Sequence, residues 1–123
     1  MNLNNFTIKS QEVVAQAQVI AKELGHQQIE NAHLLKAIFE VDENVAPFIL
    51  NKAGINLALV KQTLDSILNS FPKVSGGELM LSREANQTII EAISLAKKMK
   101  DEYVAIEHLL NETSGSFLLG GFC

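Results

Sequence analysis

The sequence predicts an all-α domain made from a duplicated four-helix repeat. Apolar residues make up 47% of the 123 positions, and only two prolines interrupt them. Most of these apolar residues are Leu, Ala, Ile and Val, a composition that suits closely packed helices. A stretch near the N-terminus also recurs later in the chain, which indicates duplication. A chain of this length is expected to form one small domain with its own core.

The first repeat is predicted to begin with a long helix followed by a short one. The long helix runs from Thr7 to Leu24, with an N-cap at Thr7 or Ser10 and Gly25 just after its end. One face carries apolar residues at helical spacing, namely Val13, Val14, Ala17, Ile20, Ala21 and Leu24. The short helix runs from about residue 31 to residue 40 and is expected to bury Leu34, Ala37 and Ile38.

Two further helices are predicted to complete the first repeat. Asn44 is expected to cap a third helix that ends at Ala53, with Pro47 in its first turn, where the missing N–H costs nothing. Gly54 stops this helix, and Asn56 caps a fourth. The fourth helix has one apolar face, formed by Leu57, Val60, Leu64, Ile67, Leu68 and Phe71.

A breaker at residues 72–77 separates this repeat from the next, because Pro72, Gly76 and Gly77 all disfavour helix. A fifth helix is predicted from Ser82 to about residue 100, and a sixth from near Ala105. The apolar face of the fifth helix is expected to consist of Ile89, Ile90, Ala92, Ile93, Ala96 and Met99.

The internal repeat appears when the chain is shifted by 75 positions, which places His33 on His108. Residues 6–35 then align without a gap on residues 81–110, with six identities. The predicted helix starts, the apolar faces and the His-Leu-Leu triplets coincide in this alignment. We therefore interpret the two stretches as copies, which predicts pseudo-twofold packing with a seam between the halves.

The second copy is expected to be truncated. Two more helices follow the first His-Leu-Leu triplet, whereas only residues 111–123 follow the second. The Gly and Ser content of residues 114–123 predicts poor helix formation. Without two covering helices, some apolar residues of the fifth and sixth helices are expected to be partly exposed: Ile89, Ile93, Leu109 or Leu110. Either a second chain or the tail itself, through Phe117, Leu118 and Phe122, is expected to cover that surface.

Both copies resemble the Clp N-terminal repeat. The first copy carries the pattern Phe6-Thr7, Ala17, Ala21, Gln28-Ile29-Glu30 and His33-Leu34-Leu35. The second carries Leu81-Ser82, Ala92, Ala96, Tyr103-Val104 and Glu107-His108-Leu109-Leu110. The connector Phe71-Pro72-Lys73-Val74-Ser75-Gly76-Gly77 resembles that of the ClpB branch. The resemblance covers residues 1–110, with the first repeat at about 6–71 and the second from about 81, and leaves residues 111–123 as an atypical tail.

This resemblance implies a role as well as a fold. It implies that the domain binds unfolded or aggregated polypeptides and delivers them to the ATPase modules of a ClpB-type AAA+ disaggregase, modules that this chain does not contain. In such proteins a threonine near the start and two acids in the second repeat are linked to substrate interaction. The matching residues here are Thr7, Asp101 and Glu107. Each also has a local structural explanation: an N-cap, a solvated turn, and an acid favoured by the helix dipole.

Two other functions remain open from the sequence. One is the N-terminal domain of a Clp protease unfoldase, which would dock adaptor proteins instead of clients. The other is a standalone helical interaction protein, which the short second repeat keeps open. The connector at residues 71–77 favours the ClpB interpretation.

Composition and motifs argue against several other classes of protein. The net charge is −4 and the longest basic cluster is Lys97, Lys98 and Lys100, so no basic face is predicted for nucleic acid. No apolar run approaches the roughly 20 residues of a membrane span. The first residues lack the features of a secretory signal, and Cys123 is the single cysteine, so a cytoplasmic protein is expected. The isolated domain is expected to be a monomer.

No catalytic or cofactor site is predicted. The sequence lacks the Gly-x-x-x-x-Gly-Lys-Ser/Thr motif of a phosphate-binding loop and any nucleophile-elbow motif, so we expect neither an enzyme nor a cofactor. No metal site is expected either, because the histidines lack converging partners at ligand spacing. His33 and His108 are interpreted as buried or capping residues, and His26 as a solvated loop residue.

Overall fold

The computed structural model describes residues 3–74 and 76–120, with side chains up to residue 114. Six helices occupy most of this part of the chain, and they confirm the all-α prediction. The helices are α1 (Ile8–Glu23), α2 (Asn31–Val41), α3 (Val45–Lys52), α4 (Leu57–Ser70), α5 (Arg83–Lys98) and α6 (Ile106–Gly120). Two short strands, β1 (Gln28–Ile29) and β2 (Met80–Leu81), accompany them.

Side-chain caps begin three of the helices at the positions that the sequence predicts. The Thr7 hydroxyl accepts a hydrogen bond from the Ser10 N–H at 3.1 Å. The Asn56 side chain accepts one from the N–H of Leu59 at 3.1 Å, and Ser82 accepts one from the N–H of Ala85 at 3.0 Å. Each cap satisfies a backbone donor that has no partner within its helix.

The predicted cap of α3 is wrong. Asn44 occupies the position before the helix, but its side chain makes no cap hydrogen bond. The carboxylate of Asp42 takes this role instead and accepts from the N–H groups of Val45 at 3.2 Å and Ala46 at 2.6 Å. Asp42 lies two residues upstream of Asn44 and is buried, so its oxygens reach the helix start from inside the fold.

Two parallel pairings join the repeats, and the sequence did not predict them. Strand β1 pairs with β2, which places Ile29 opposite Leu81, and an isolated bridge places Phe6 opposite Val104. In the repeat alignment Phe6 is equivalent to Leu81 and Ile29 to Val104. The two pairings are therefore equivalent contacts, each between one repeat and the other. The N–H of Thr7 donates to the Val104 carbonyl at 3.0 Å, and the equivalent N–H of Ser82 donates to the Ile29 carbonyl at 2.9 Å. This equivalence supports the predicted pseudo-twofold packing.

The core lies where α2 and α6 pack against each other and against the long helices α1 and α5. Its largest fully buried apolar side chains are Leu34, Leu35, Ile38, Ile89, Leu109 and Leu110. The expectation that Ile89, Leu109 or Leu110 are partly exposed is therefore wrong, because α2 of the first repeat packs on α6. Ile93, the fourth residue of that expectation, is half-buried. The predicted face of α5 was too wide, since Ile90 and Met99 are exposed.

Helix α6 continues through most of the segment that was predicted to be poorly helical. Its backbone remains helical to Gly120, and the Thr113 hydroxyl is buried and donates to the Leu109 carbonyl at 2.8 Å. The backbone of residues 114–120 is thus helical despite the weak helix propensity of its Gly and Ser residues. The expected folding-back of Phe117, Leu118 and Phe122 concerns side chains outside the described residues.

The ends of α1 and α5 provide a matched test of backbone strain. Gly25 and Lys100 are repeat equivalents, and both follow their helices with positive φ, 72° and 60°. A lysine in this region is strained, whereas glycine is not. We therefore expect Lys100→Gly to raise the free energy of unfolding by about 0.5–1 kcal/mol and Gly25→Ala to lower it by about 1 kcal/mol. Urea titration of both variants measures these changes, and a destabilised Lys100→Gly variant would contradict the interpretation.

Candidate functional site

A groove of about 400 Å³ lies between α3 of the first repeat and helices α5 and α6 of the second. Most of its lining is apolar: Ile49, Leu50, Ala53, Ile55, Leu95, Met99 and Leu110, joined by Glu107, His108, Asn111 and Ser114. A wider depression of about 720 Å³ lies around Phe48 and Leu57, but its lining comes from the first repeat alone. The smaller groove is therefore the one that matches the predicted seam.

Three local features position the walls of the groove. The Asp42 carboxylate fixes the start of α3, whose last turns contribute the first-repeat wall. The end of α5 contributes Leu95 and Met99, and Met99 is 56% exposed, so its thioether is accessible to a ligand. The first two turns of α6 contribute the remaining wall. A flexible, polarisable methionine suits a surface that must fit different apolar partners.

Glu107 supplies a carboxylate to the groove. It is exposed in the first turn of α6, where the partial positive charge of the helix N-terminus favours an acid. Of the three residues that the family resemblance suggested, Glu107 is the one in the groove lining. A carboxylate beside apolar walls favours a ligand with both apolar and basic side chains.

Asp101 lies outside the groove lining but is bonded to His108, which belongs to it. Its carboxylate accepts a hydrogen bond from Nε2 of His108 at 2.8 Å. The Asp101 side chain remains 44% exposed, whereas the His108 side chain is almost fully buried. The turn that holds Asp101 is closed by a bond from its own N–H to the Ala96 carbonyl at 2.9 Å.

Thr7 is joined to the second repeat through its backbone. Its N–H donates to the carbonyl of Val104, which lies in the sequence between Asp101 and Glu107, the other two predicted site residues. Its hydroxyl caps α1 and donates to the Ser10 hydroxyl at 2.9 Å, so internal hydrogen bonds occupy it. Ile8 directly follows Thr7 and is 77% exposed, and Tyr103 directly precedes Val104 and is 52% exposed. Sequence reasoning missed these two exposed apolar residues beside the bridge.

A second cluster of polar residues lies inside the first repeat and corrects the interpretation of His26. His26 is not solvated: it is 7% exposed, and its Nδ1 lies 2.7 Å from Nε2 of His33. The rings of Phe71 and His26 pack in a T-shaped arrangement at a centroid distance of 5.4 Å. Nδ1 of His33 accepts from the Glu30 N–H at 2.8 Å, so His33 is both buried and capping, as predicted. Its repeat equivalent His108 makes the same cap with the Ala105 N–H.

The surroundings of this histidine pair disfavour protonation. Burial and the neighbouring His26 lower the pKa of His33 to about 4. Burial and Lys73 lower the pKa of His26, whereas Glu30 and a hydrogen bond with the Leu68 carbonyl act in the opposite direction. Both rings are therefore neutral near pH 7, and the cluster is suited to structure more than to proton transfer at that pH.

In the part of the chain that the structure describes, no three His, Cys, Asp or Glu side chains converge in a way that could hold a metal ion. No helix in the described ranges combines the length and apolarity needed to cross a membrane.

Comparisons with known proteins agree with the fold and its internal repeat. The Clp repeat (R) N-terminal domain family matches residues 5–114. Chaperone protein ClpB of Bacteroides thetaiotaomicron is 48% identical over 110 residues, which are 89% of this chain and 13% of that protein. Chaperone protein ClpB of Porphyromonas gingivalis is 43% identical, with the same coverage of both chains. This chain thus spans about an eighth of the length of these relatives.

Solved structures show the same fold. The Hsp104 N-terminal domain from Candida albicans superposes with a TM-score of 0.80 at 21% sequence identity, over 89% of this chain and 73% of that one. The sequence match extends over most of the chain and includes both copies of the repeat. The chain belongs to the Clp repeat N-terminal domain family.

Proposed function

We propose that this domain binds exposed apolar segments of unfolded or aggregated proteins in the groove between α3, α5 and α6. The observation that carries the proposal is the composition of that groove: apolar walls from both repeats, an accessible methionine and one rim carboxylate. The similarity to ClpB chaperones supports it. In this proposal the domain works as a monomeric module in the cytoplasm and passes clients to the ATPase modules of a parent chaperone.

The chemistry of the groove defines the class of ligand. Leucine, isoleucine or phenylalanine side chains of an extended segment would pack along the walls, which removes their apolar surface from water. A lysine or arginine beside them would pair with Glu107. The segment loses conformational freedom on binding, so the dissociation constant is expected to be micromolar or weaker and tolerant of sequence. Thr7 and Asp101 lie outside the groove lining, and their contact with clients stays a prediction from the family resemblance.

The test uses fluorescence anisotropy with an unstructured peptide that carries leucines and phenylalanines flanked by arginines. Met99→Gln removes apolar surface from the groove, whereas Ile90→Gln removes apolar surface from an exposed position of α5 outside it, at 49% exposure. We expect Met99→Gln to weaken binding by about 1 kcal/mol, or roughly fivefold, and Ile90→Gln to change it less than twofold. Equal effects of the two substitutions would place the binding surface elsewhere.

A second peptide with glutamates in place of the arginines tests the role of the rim acid. The parent domain is expected to prefer the arginine peptide, and Glu107→Gln is expected to remove most of that preference while leaving apolar binding intact. If neither peptide binds and one folded protein binds tightly instead, the domain docks adaptors and the client-binding proposal is wrong.

A further inference from the structure

Each repeat contains a histidine paired with the residue seven positions before it, and this second residue is a histidine in the first repeat and an aspartate in the second. In each repeat a histidine near the start of the second helix accepts a backbone N–H at Nδ1: His33 from Glu30 and His108 from Ala105, both at 2.8 Å. Because Nδ1 is the acceptor, Nε2 of each neutral ring carries the hydrogen. That hydrogen is directed at the residue seven positions earlier, which is His26 in the first repeat and Asp101 in the second.

The surroundings of the two pairs differ in one functionally relevant way. The first pair is enclosed, with His26 buried beneath Phe71. The second joins a half-exposed carboxylate to a ring in the groove lining, because His108 contributes to the wall beside Glu107 and Leu110. His108 itself is 1% exposed and both ring nitrogens are occupied, so it has no free polar atom to offer a ligand.

We infer that Asp101 is a positioning residue for the groove: its carboxylate holds the His108 ring, and through that ring the first turn of α6, without contacting the bound polypeptide. Two contacts fix the ring, one from the start of α6 and one from the turn after α5. Loss of the second contact frees the ring to rotate about its remaining bond. Glu107 and Leu110 lie on the turn that this ring supports. The inference rests on the proposed function, since it concerns the same groove.

Asp101 could position His108 or could form an ion pair with a basic client, and Asp101→Ala would weaken binding in both cases. An asparagine oxygen accepts a hydrogen bond from Nε2–H as a carboxylate does, but it carries no charge. A positioning residue therefore tolerates Asp101→Asn and not Asp101→Ala. A residue that forms an ion pair with a basic client loses its contribution in both variants. The salt dependence of binding distinguishes the two roles again, because it reports which carboxylates face the ligand.

The experiment measures binding of the arginine-flanked apolar peptide to the parent domain and to Asp101→Asn, Asp101→Ala, Glu107→Gln and Met99→Gln. We expect less than a twofold change for Asp101→Asn, about a fivefold loss for Asp101→Ala, and a smaller salt dependence for Glu107→Gln alone. Long-range ¹H–¹⁵N NMR spectra should show His108 in the Nε2–H form in the parent and in Asp101→Asn. In Asp101→Ala the Nε2–H signal of His108 should broaden or disappear, because this hydrogen has lost its acceptor and exchanges with water.

The outcomes that overturn the inference differ from those that overturn the proposed function. If Asp101→Asn weakens binding as much as Asp101→Ala, or reduces the salt dependence as Glu107→Gln does, Asp101 contacts the ligand and the positioning role is wrong. If Asp101→Ala binds like the parent, the positioning role is also wrong. If Met99→Gln has no effect, the groove assignment itself fails. Should Asp101→Ala not fold, the salt dependence of Asp101→Asn still decides between the two roles.

Discussion

Acidification from pH 7 to pH 4 is expected to remove about 3 kcal/mol from the free energy of unfolding through His33 alone. The pKa of this buried ring is about 4 in the folded domain, against the 6.5 of a solvated histidine. The unfolded chain therefore binds more protons below pH 6.5, and the stability contributed by the neutral ring is lost as the pH falls from about 6.5 to 4. Protonation also places a hydrogen on Nδ1, which then opposes the Glu30 N–H.

Chemical denaturation at pH 7 and pH 4 measures this loss, with His33→Gln as the matched control. Glutamine at this position can also reach back to the N–H that precedes the helix, but it does not titrate. The loss on acidification should therefore be about 3 kcal/mol smaller in His33→Gln than in the parent. Carboxylates that protonate in the same range affect both proteins equally. Equal losses in the two proteins would show that the buried histidine does not carry the acid sensitivity.

Asp42→Ala is expected to lower the free energy of unfolding by about 2–3 kcal/mol. The substitution removes the buried carboxylate that accepts from the Val45 and Ala46 N–H groups, and these donors are left without an equivalent partner. Because Asp42 anchors the start of α3, and α3 forms one wall of the groove, peptide binding should weaken as well. Asp42→Asn keeps one acceptor oxygen and should have an intermediate effect.

The control for Asp42→Ala is Asp65→Ala, which removes an acid of the same type from the surface. Asp65 is 60% exposed and its salt bridge to Lys36 spans 3.2 Å. Exposed pairs of this kind contribute little, so a change below about 0.5 kcal/mol is expected. Thermal and urea unfolding check both variants. If Asp42→Ala is no more destabilising than Asp65→Ala, the assignment of Asp42 as the helix cap is incorrect.

Local rules predicted the helices and most of their caps because the relevant contacts are short in sequence. Thr7, Asn56 and Ser82 each bond to an N–H three residues ahead. The same rules failed at α3, because Asn44 and Asp42 both have suitable side chains and only the tertiary fold shows which one is buried. They also failed at α6, whose backbone stays helical through Gly and Ser residues that disfavour helix.

The strand pairings between the repeats could not be predicted from apolar periodicity, because each strand contains only two residues and shows no alternating pattern. The internal repeat nevertheless contained a usable signal: the shift of 75 positions aligns His26 with Asp101 at the same distance from His33 and His108. That equivalence predicts related partners for the two histidines, and it would have corrected the interpretation of His26 as solvated. The exposure of Met99 and Ile90 could not be predicted, because the apolar residues of α5 form a stripe wider than the face that the fold covers.

The candidate site was predicted in part. The sequence predicted a seam between the repeats, and the family resemblance suggested Glu107 as a site residue; Glu107 lies in the groove at that seam. The wall from α3 was not predicted, because it depends on how one repeat packs against the other. Direct client contact by Thr7 and Asp101 stays a prediction, and their internal hydrogen bonds favour an indirect contribution.

The most direct test of the groove is ¹H–¹⁵N chemical-shift mapping of the domain during titration with the arginine-flanked apolar peptide. The proposal predicts saturable shifts concentrated on the end of α3, on Leu95 and Met99, and on the first two turns of α6. Ile90 and the cluster around His26 should remain unchanged at the same peptide concentrations. Shifts concentrated around Phe48 and Leu57, or no saturable shifts while the domain stays folded, would contradict the proposal.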